Sequence, residues 1–481
     1  MQPAQTPAPP SPQSSSTIPV EPLVALAHLW QAAGQPAAAL SHIRLTGGEP
    51  VLPSSFAVGT AAQASIAAAA LAAGELWRLR CGHRQDIAVD MRHAANEFRS
   101  ERYFRVNGAP SAELWDKIAG LYRCGDGGWV RLHTNFPHHR DGVLALLGCD
   151  YEKSGVQQAL LNWRAEAFEE AAAAKGLVVT AMRTFAQWDR HPQGAAVGAL
   201  PLFTIERIGA AAPQPLPAAA RPLAGVRVLD LTRIVAGPVC GRTLAAHGAD
   251  VMLVTAAHLP AIEPLVIDTG RGKLSCRIDL RDAAGQAAMR ALLHGTDVFV
   301  QGYRPGALAS FGFSPELLAQ IRPGIVCVSL SAYSHAGPWA QRRGFDSLVQ
   351  TASGFNHAEA TAAETDQPKP LPAQVLDHAA GYIMAFAAMT ALARRSTEGG
   401  SWHVRVSLAQ TGKWLRDLGR IENGLACPET GFDDIQDLLE TQDSGFGRLT
   451  AIRHAAQLSE TPARWVRPSM PLGAHPAAWP E

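Results

Sequence analysis

The chain carries no surplus of either charge: 42 Lys and Arg balance 42 Asp and Glu. The basic residues are also scattered, which argues against nucleic acid or an anionic membrane surface as principal partner. Cysteine is sparse and unpatterned. The seven residues, Cys81, Cys124, Cys149, Cys240, Cys276, Cys327 and Cys427, show no CxxC spacing and cannot all pair; they read as reduced thiols of a cytoplasmic protein. The GxGxxG fingerprint is missing, so nothing argues for a nicotinamide or flavin dinucleotide. His133, His138 and His139 in HTNFPHH lack an acid or cysteine at ligand spacing, which argues against a metal. Near the N-terminus no basic residue precedes an apolar stretch. Residues 1–20, rich in Pro and Ser, read as a disordered leader rather than a signal peptide. Long hydrophobic runs are scarce too. Two Ala-rich stretches, near Ala57–Ala73 and Ala379–Ala393, are bounded by polar residues, and the second is too short to span a bilayer; both read as buried helices.

What is present is enough apolar material for a large core. With 481 residues and 47% hydrophobic composition, two or three domains are expected. From Pro222 the chain reads strand (Val226–Leu231), Gly-Pro turn, helix (Pro238–His247), strand (Asp250–Val254), and the alternation continues. That pattern implies a parallel sheet with ligand loops at the strand C-termini. The expected fold class is α/β, with a Rossmann-like parallel-sheet large domain over 224–415. A smaller α+β domain over 106–211, containing a DGGW turn, precedes it through the Pro/Ala linker 212–223. A tail, 416–481, follows.

Asp377 stands immediately before a long small-residue helix that ends in Arg394, Arg395 and the Gly399-Gly400 stop, with a strand from Trp402 to Leu408 after it. An acid there caps the helix, feels its positive end and stays ionised.

Seven pieces occur in order over roughly residues 221–410: GVRVLDLTRIVAGP, GAD before an apolar strand, RGKLSCRIDL, YRPG, SLSAYSHAGP, FDSLVQTASG and the segment around Asp377. In this set the chain resembles the family III CoA-transferases, the superfamily of formyl-CoA transferase, carnitine-CoA transferase and α-methylacyl-CoA racemase. The resemblance implies that Asp377 attacks an acyl-CoA, forming an aspartyl anhydride and then an aspartyl-CoA thioester, and passes CoA to a free carboxylic acid. A carboxylate needs no partner base for this, because its usual pKa of about 4 leaves it charged. Coenzyme A would be a substrate, with no permanently bound cofactor. Arg304, in the RPG segment, and Arg271 and Lys273, in TGRGK, are the expected phosphate cations. Val235 and Ala236 lie in the expected CoA loop, although Val235 replaces a polar residue found in some transferases.

Racemases of this superfamily place a histidine where this chain has Phe345, just before Asp346, so racemisation is not expected; Asp346 reads as structural, and His378 as a solvent-facing or capping imidazole. Two alternatives stay open: a non-catalytic acyl-CoA-binding homologue, suggested by Val235 and Thr255, and a racemase or isomerase of the same superfamily. Family members form interlocked dimers, so a homodimer or an intrachain pseudo-dimer is expected.

The pseudo-dimer is suggested by an internal repeat. Residues 60–98 run parallel to 377–415 at constant offset, placing Ile66 on Ile383, Arg78 on Arg395, Gly82 on Gly399 and Val89 on Val406. Thr60 falls on Asp377. On this alignment residues 21–105 are a degenerate partial copy of the large domain that has lost the nucleophile.

Overall fold

The computed structural model describes residues 18–480; the expected leader falls largely on residues 1–17, outside them. Seven strands form the main sheet: β1 (Phe203–Gly209), β2 (Arg227–Leu231), β3 (Asp250–Thr255), β4 (Lys273–Arg277), β5 (Val298–Gln301), β6 (Val326–Ser331) and β7 (Ser401–Ser407). Their order is β4-β3-β2-β5-β6-β7-β1. All neighbours pair in parallel except β1, which runs antiparallel along β7 at one edge. The chain starts this parallel set in the middle, at β2, builds outward one way and then returns to build the other way. Loops therefore diverge between β2 and β5, the switch point where such sheets bind ligands. Val228 and Leu229 show why the strands read as apolar runs: they point to opposite faces, Val228 into one core cluster and Leu229 into the other.

Residues 203–209, expected within the small domain, are this edge strand instead. A short, half-exposed strand of this kind serves an edge as well as it would serve a separate sheet. The small sheet comprises Gly120–Arg123, Trp129–Leu132 and Val179–Ala181, all antiparallel, with its own core around Phe168, Val130 and Leu160.

Two helices of 24 residues each pack against one another: α4 (Val375–Glu398) lies on the large sheet, and α1 (Val58–Cys81) lies on a separate three-stranded sheet of Ile43–Thr46, Ile87–Asp90 and Ala456–Leu458. Between them in sequence come α2 (Ala236–Ala246) and α3 (Asp346–Ser353). The long helices match in detail. The residue before each takes nearly the same conformation, Ala57 at φ −75, ψ 62 and Gln374 at φ −78, ψ 64. A glycine with positive φ follows each last residue, Gly82 in the left-handed cap conformation and Gly399 with an extended ψ of −159. Each is succeeded by a strand and a side-chain-capped helix: Asp90 accepts from the amide of His93, and Ser407 from that of Gln410. Alanine lets the pair approach closely while burying almost all of both helices. The expectation that the second stretch is too short to cross a bilayer needs correction. α4 is long and apolar enough to span one, but its apolar window is wholly buried inside the protein.

The tail closes over the N-terminal part. A hairpin of Leu439–Ser444 and Gly447–Ile452 pairs with Arg105–Val106, and Ala456–Leu458 pairs with Ile87–Asp90.

Candidate active site

At the C-terminal end of β2 the chain must reverse sharply into α2. Gly237 permits it, since a Cβ there would lie 2.3 Å from that of Thr232. Ile234, inside the turn, is held at φ +77, a region costly for a β-branched side chain. The outer side of this turn, with the ends of β5 and β6, bounds a cleft of about 450 Å³. Arg233, Arg304, Arg342, Arg343, His138, His139 and His258 line it, and none of its described lining residues is acidic. The small domain forms part of the wall. His133 stacks on Phe345 at 3.9 Å between ring centroids, and His139 Nε2 lies 3.3 Å from Arg343. Burial, with nearby cations, pushes both His133 and His139 down to about 3, so they are neutral near pH 7. A more apolar hollow of about 220 Å³ shares Leu231, His258 and Tyr303 with the cleft.

The inner end of the turn meets α4. Gly381 lets α2 and α4 touch, a Cβ there coming within 2.5 Å of the Ala236 carbonyl oxygen, and the backbone amide of Ala236, first residue of α2, offsets part of the rise in the Asp377 pKa. Asp377 is 6% exposed and is not among the residues lining the cleft; the 232–236 turn separates them.

Several expectations change here. Asp377 is not the cap preceding α4 but its third residue. The cap is Asp346, whose Oδ2 accepts from the Asp377 N–H at 2.9 Å. Asp346 thereby takes the benefit of the helix N-terminus. Burial raises it to about 6, while Asp377 is raised well above the ordinary carboxylate range, first by burial and then by the charges of Asp346 and Glu101. An ordinary, freely ionised Asp377 is therefore not what the fold provides. His378 is buried rather than solvent-facing. Its Nε2 lies 3.2 Å from Glu101 Oε2, and its ring stacks on Phe98.

The expected phosphate cations divide. Arg304 is exposed and lines the cleft. Arg271 is 0% exposed, pairs with Asp268 at 2.9 Å, donates to the carbonyl of Ile452 and lies over the Trp465 ring. Lys273 is buried beneath α2, 2.8 Å from both Asp230 Oδ2 and the Pro238 carbonyl. Gly241 leaves room for that pair, since a Cβ there would come within 2.4 Å of Asp230 Oδ2. Both cations of TGRGK thus hold the fold together and have no reach to a ligand in the cleft. Val235 is buried and bears no polar side-chain atom; its neighbour Ala236 brings the amide.

Sequence reasoning missed Arg233, Arg342, Arg343 and Glu101. The twin arginines in QRRG, following the strand beside the switch point, were a usable signal. Glu101 had none, being far from Asp377 in sequence. Among the described residues no group of three His, Cys, Asp or Glu side chains is arranged to hold a metal.

A doubly wound sheet with a cationic cleft at its switch point, and a buried carboxylate behind the adjoining turn, defines an α/β fold suited to a phosphate-bearing ligand. Residues 223–418 match the family model for CoA-transferase family III. A probable fatty acyl-CoA transferase of Mycobacterium tuberculosis is 33% identical over 231 residues, covering 44% of this chain and 58% of that protein. An acyl-CoA transferase of Gibberella moniliformis is 27% identical over 365 residues, covering 67% of this chain and 64% of that protein. A succinate–glutarate CoA-transferase of Agrobacterium fabrum is 31% identical over 205 residues, covering 39% and 51%. The chain thus spans less than two thirds of the length of these relatives. A solved structure from Mycobacterium tuberculosis, 31% identical, covers 41% of this chain and 58% of its own, with a TM-score of 0.38.

Proposed function

We propose that this chain transfers coenzyme A from an acyl-CoA to a free carboxylic acid, with Asp377 as nucleophile. The observation that carries the reading is a buried Asp377 standing behind the turn that walls a cation-lined cleft, next to the start of α2. Arg233, Arg304, Arg342 and Arg343 suit the pyrophosphate and 3′-phosphate of CoA, and the apolar hollow beside them suits a base. Asp377 first gives up the proton that its burial favours; its oxygen then attacks the thioester carbonyl, the C–S bond breaks, and CoA leaves as thiolate. The thiolate attacks the aspartyl carbonyl of the resulting anhydride and releases the donor acid. The acceptor carboxylate then attacks the aspartyl thioester, and the returning thiolate takes the new acyl group and frees Asp377. The Ala236 N–H is aimed where negative charge develops on the aspartyl oxygen, and burial keeps water from the anhydrides.

The same reading treats residues 60–98 and 377–415 as copies of one unit, and the chain as an intrachain pseudo-dimer. Equal helix lengths and matching caps support it. Sedimentation at the 51.1 kDa chain mass would agree with this; twice that mass would favour a homodimer.

A second reading, acyl-CoA binding without turnover, is favoured by the absence of Asp377 from the lining of the cleft. One experiment separates the two. Purified protein is given an acyl-CoA panel with labelled acids, no metal and no nucleotide, and hydroxylamine-sensitive adducts are located by mass spectrometry. Exchange and an Asp377 adduct, both lost in Asp377→Ala, are expected. Exchange that survives in that variant refutes the nucleophile, and CoA binding without exchange supports the second reading.

A further inference from the structure

The small domain buries a charge without giving it a partner. Arg131 is 9% exposed. Its Nε is buried with no hydrogen-bond acceptor, and among the described residues no hydrogen bond or ion pair holds the rest of the guanidinium. The other buried arginines are all held. Arg183 pairs with Glu169, Arg242 and Arg271 with Asp268, Arg395 with Asp297 and Arg99 with Glu429, while Arg80 donates to three carbonyls. An uncompensated buried charge is costly. Burial lowers Arg131 only to about 10, so it stays charged near pH 7.

Its position is set by the strand Trp129–Leu132. Val130 and Leu132 enter the core of the small domain, which turns Arg131 and His133 to the other face, the one packed on α3. There the guanidinium lies 4.8 Å over the Trp115 ring. Trp115 meets His133 edge-on, and His133 stacks on Phe345, a residue of the cleft wall. Asp346, next in sequence, is the acid whose charge reaches Arg131. Its oxygens are already engaged by the Asp377 amide and the Gln350 side chain. Two further groups along this interface are buried without partners, His133 Nδ1 and Ser347 Oγ. Arg131 is not among the residues lining the cleft, where Arg233, Arg304, Arg342 and Arg343 are gathered.

We propose that Arg131 selects the acid that is exchanged, by binding the far carboxylate of a dicarboxylic acid whose near carboxyl reacts at Asp377. The inference rests on the transfer reading and names its substrate class. A guanidinium with free donors matches a carboxylate in a two-pronged contact, and the Ser347 hydroxyl and the neutral His133 ring bring further donors. Trp115, His133 and Phe345 offer flat walls to the methylenes between the two carboxyls. A monocarboxylic acid of equal length would bring an apolar end to the charge and desolvate it without pairing it.

The test reads binding, with no turnover required. Full-length protein is titrated calorimetrically with succinate, glutarate and adipate, and with butyrate, pentanoate and hexanoate as partners of equal chain length. At least one dicarboxylate should bind about tenfold or more tightly than its partner, and Arg131→Met should abolish that preference. Arg304→Gln should leave it intact, so a preference lost there and kept in Arg131→Met overturns the proposal. So does a wild type that treats the two series alike, a measurement that needs no variant. The urea midpoint of Arg131→Met should equal or exceed that of wild type, because an apolar side chain of similar length replaces an unpaired cation; a large drop marks a structural arginine and also overturns the proposal. The two readings fail differently. Without transfer chemistry, CoA exchange is absent while the dicarboxylate preference persists; with this inference wrong, exchange persists and the preference is absent or indifferent to Arg131.

Discussion

Gly381 is the residue on which the meeting of Asp377 with Ala236 depends most directly. Gly381→Ala would place a Cβ 2.5 Å from the Ala236 carbonyl oxygen and 2.8 Å from Val239 Cβ and Cγ1. The first neighbour is backbone and cannot swing aside. Restoring an ordinary contact of about 3.5 Å requires α2 and α4 to separate by about 1 Å at this point. Overpacking of this kind costs about 1–3 kcal/mol, offset by roughly 1 kcal/mol gained when alanine replaces glycine inside a helix. The net loss of stability is then small, about 0–2 kcal/mol. Catalysis should suffer more, because the Ala236 amide retreats from the carboxylate it faces; misplacement by about 1 Å, or loss of one such donor, lowers rate by roughly 100-fold. Urea melts and CoA-exchange kinetics on the same preparation would measure both. The expected result is a kcat near one hundredth of wild type with an almost unchanged melt and CoA affinity. A kcat within threefold of wild type in the folded variant would refute the claim that this helix contact sets the site.

The cations offer a contrast. Arg304→Gln removes an exposed charge from the cleft and should weaken CoA binding about tenfold by calorimetry, with an unchanged melt. Arg271→Gln strips a buried pair from Asp268 and should cost about 3–5 kcal/mol of stability; a CoA-specific loss with normal stability would return Arg271 to the ligand site. A pH series tests His133. Burial holds it at about 3 against about 6.5 when unfolded, so its contribution to stability is full above that value and is lost as pH falls toward 3. The loss is about 1.4 kcal/mol per pH unit, or roughly 2 kcal/mol between pH 6.5 and 5. Asp346, raised to about 6, acts the other way, its contribution being full below about 4 and lost as pH rises through 6. His133→Gln should flatten the acid-side slope by one proton, and an unaltered slope would mean His133 is not held neutral.

The parallel sheet was legible because its strands are buried on both faces and punctuated by glycine and proline; β2, β3 and β7 lie within a residue or so of where the sequence puts them. The assignment of 203–209 to the small domain failed because a short, half-exposed strand carries no local mark of which sheet it joins. At the site, residue type was legible and environment was not. TGRGK looks like a phosphate loop, yet Asp268, three residues before Arg271, and Asp230, distant in the written chain, turn both its cations inward. Asp377 looked like a cap because it stands beside a helix start. Which acid caps that helix depends on Asp346 arriving from another segment, and no local pattern carries that.

Val235 illustrates the opposite error. Its apolar side chain cast doubt on a stabilising contact in the loop after β2, yet the group facing Asp377 is the main-chain amide of the next residue. A backbone donor leaves no trace in residue identity. What the sequence can encode is the geometry that aims it: Gly237, without which Thr232 would block the turn, and Gly381, without which α4 could not approach. Those two glycines, rather than a polar residue at 235, are the readable signature of the contact. Their effect is conformational, so substitutions at them should disturb the site while leaving every polar side chain in place.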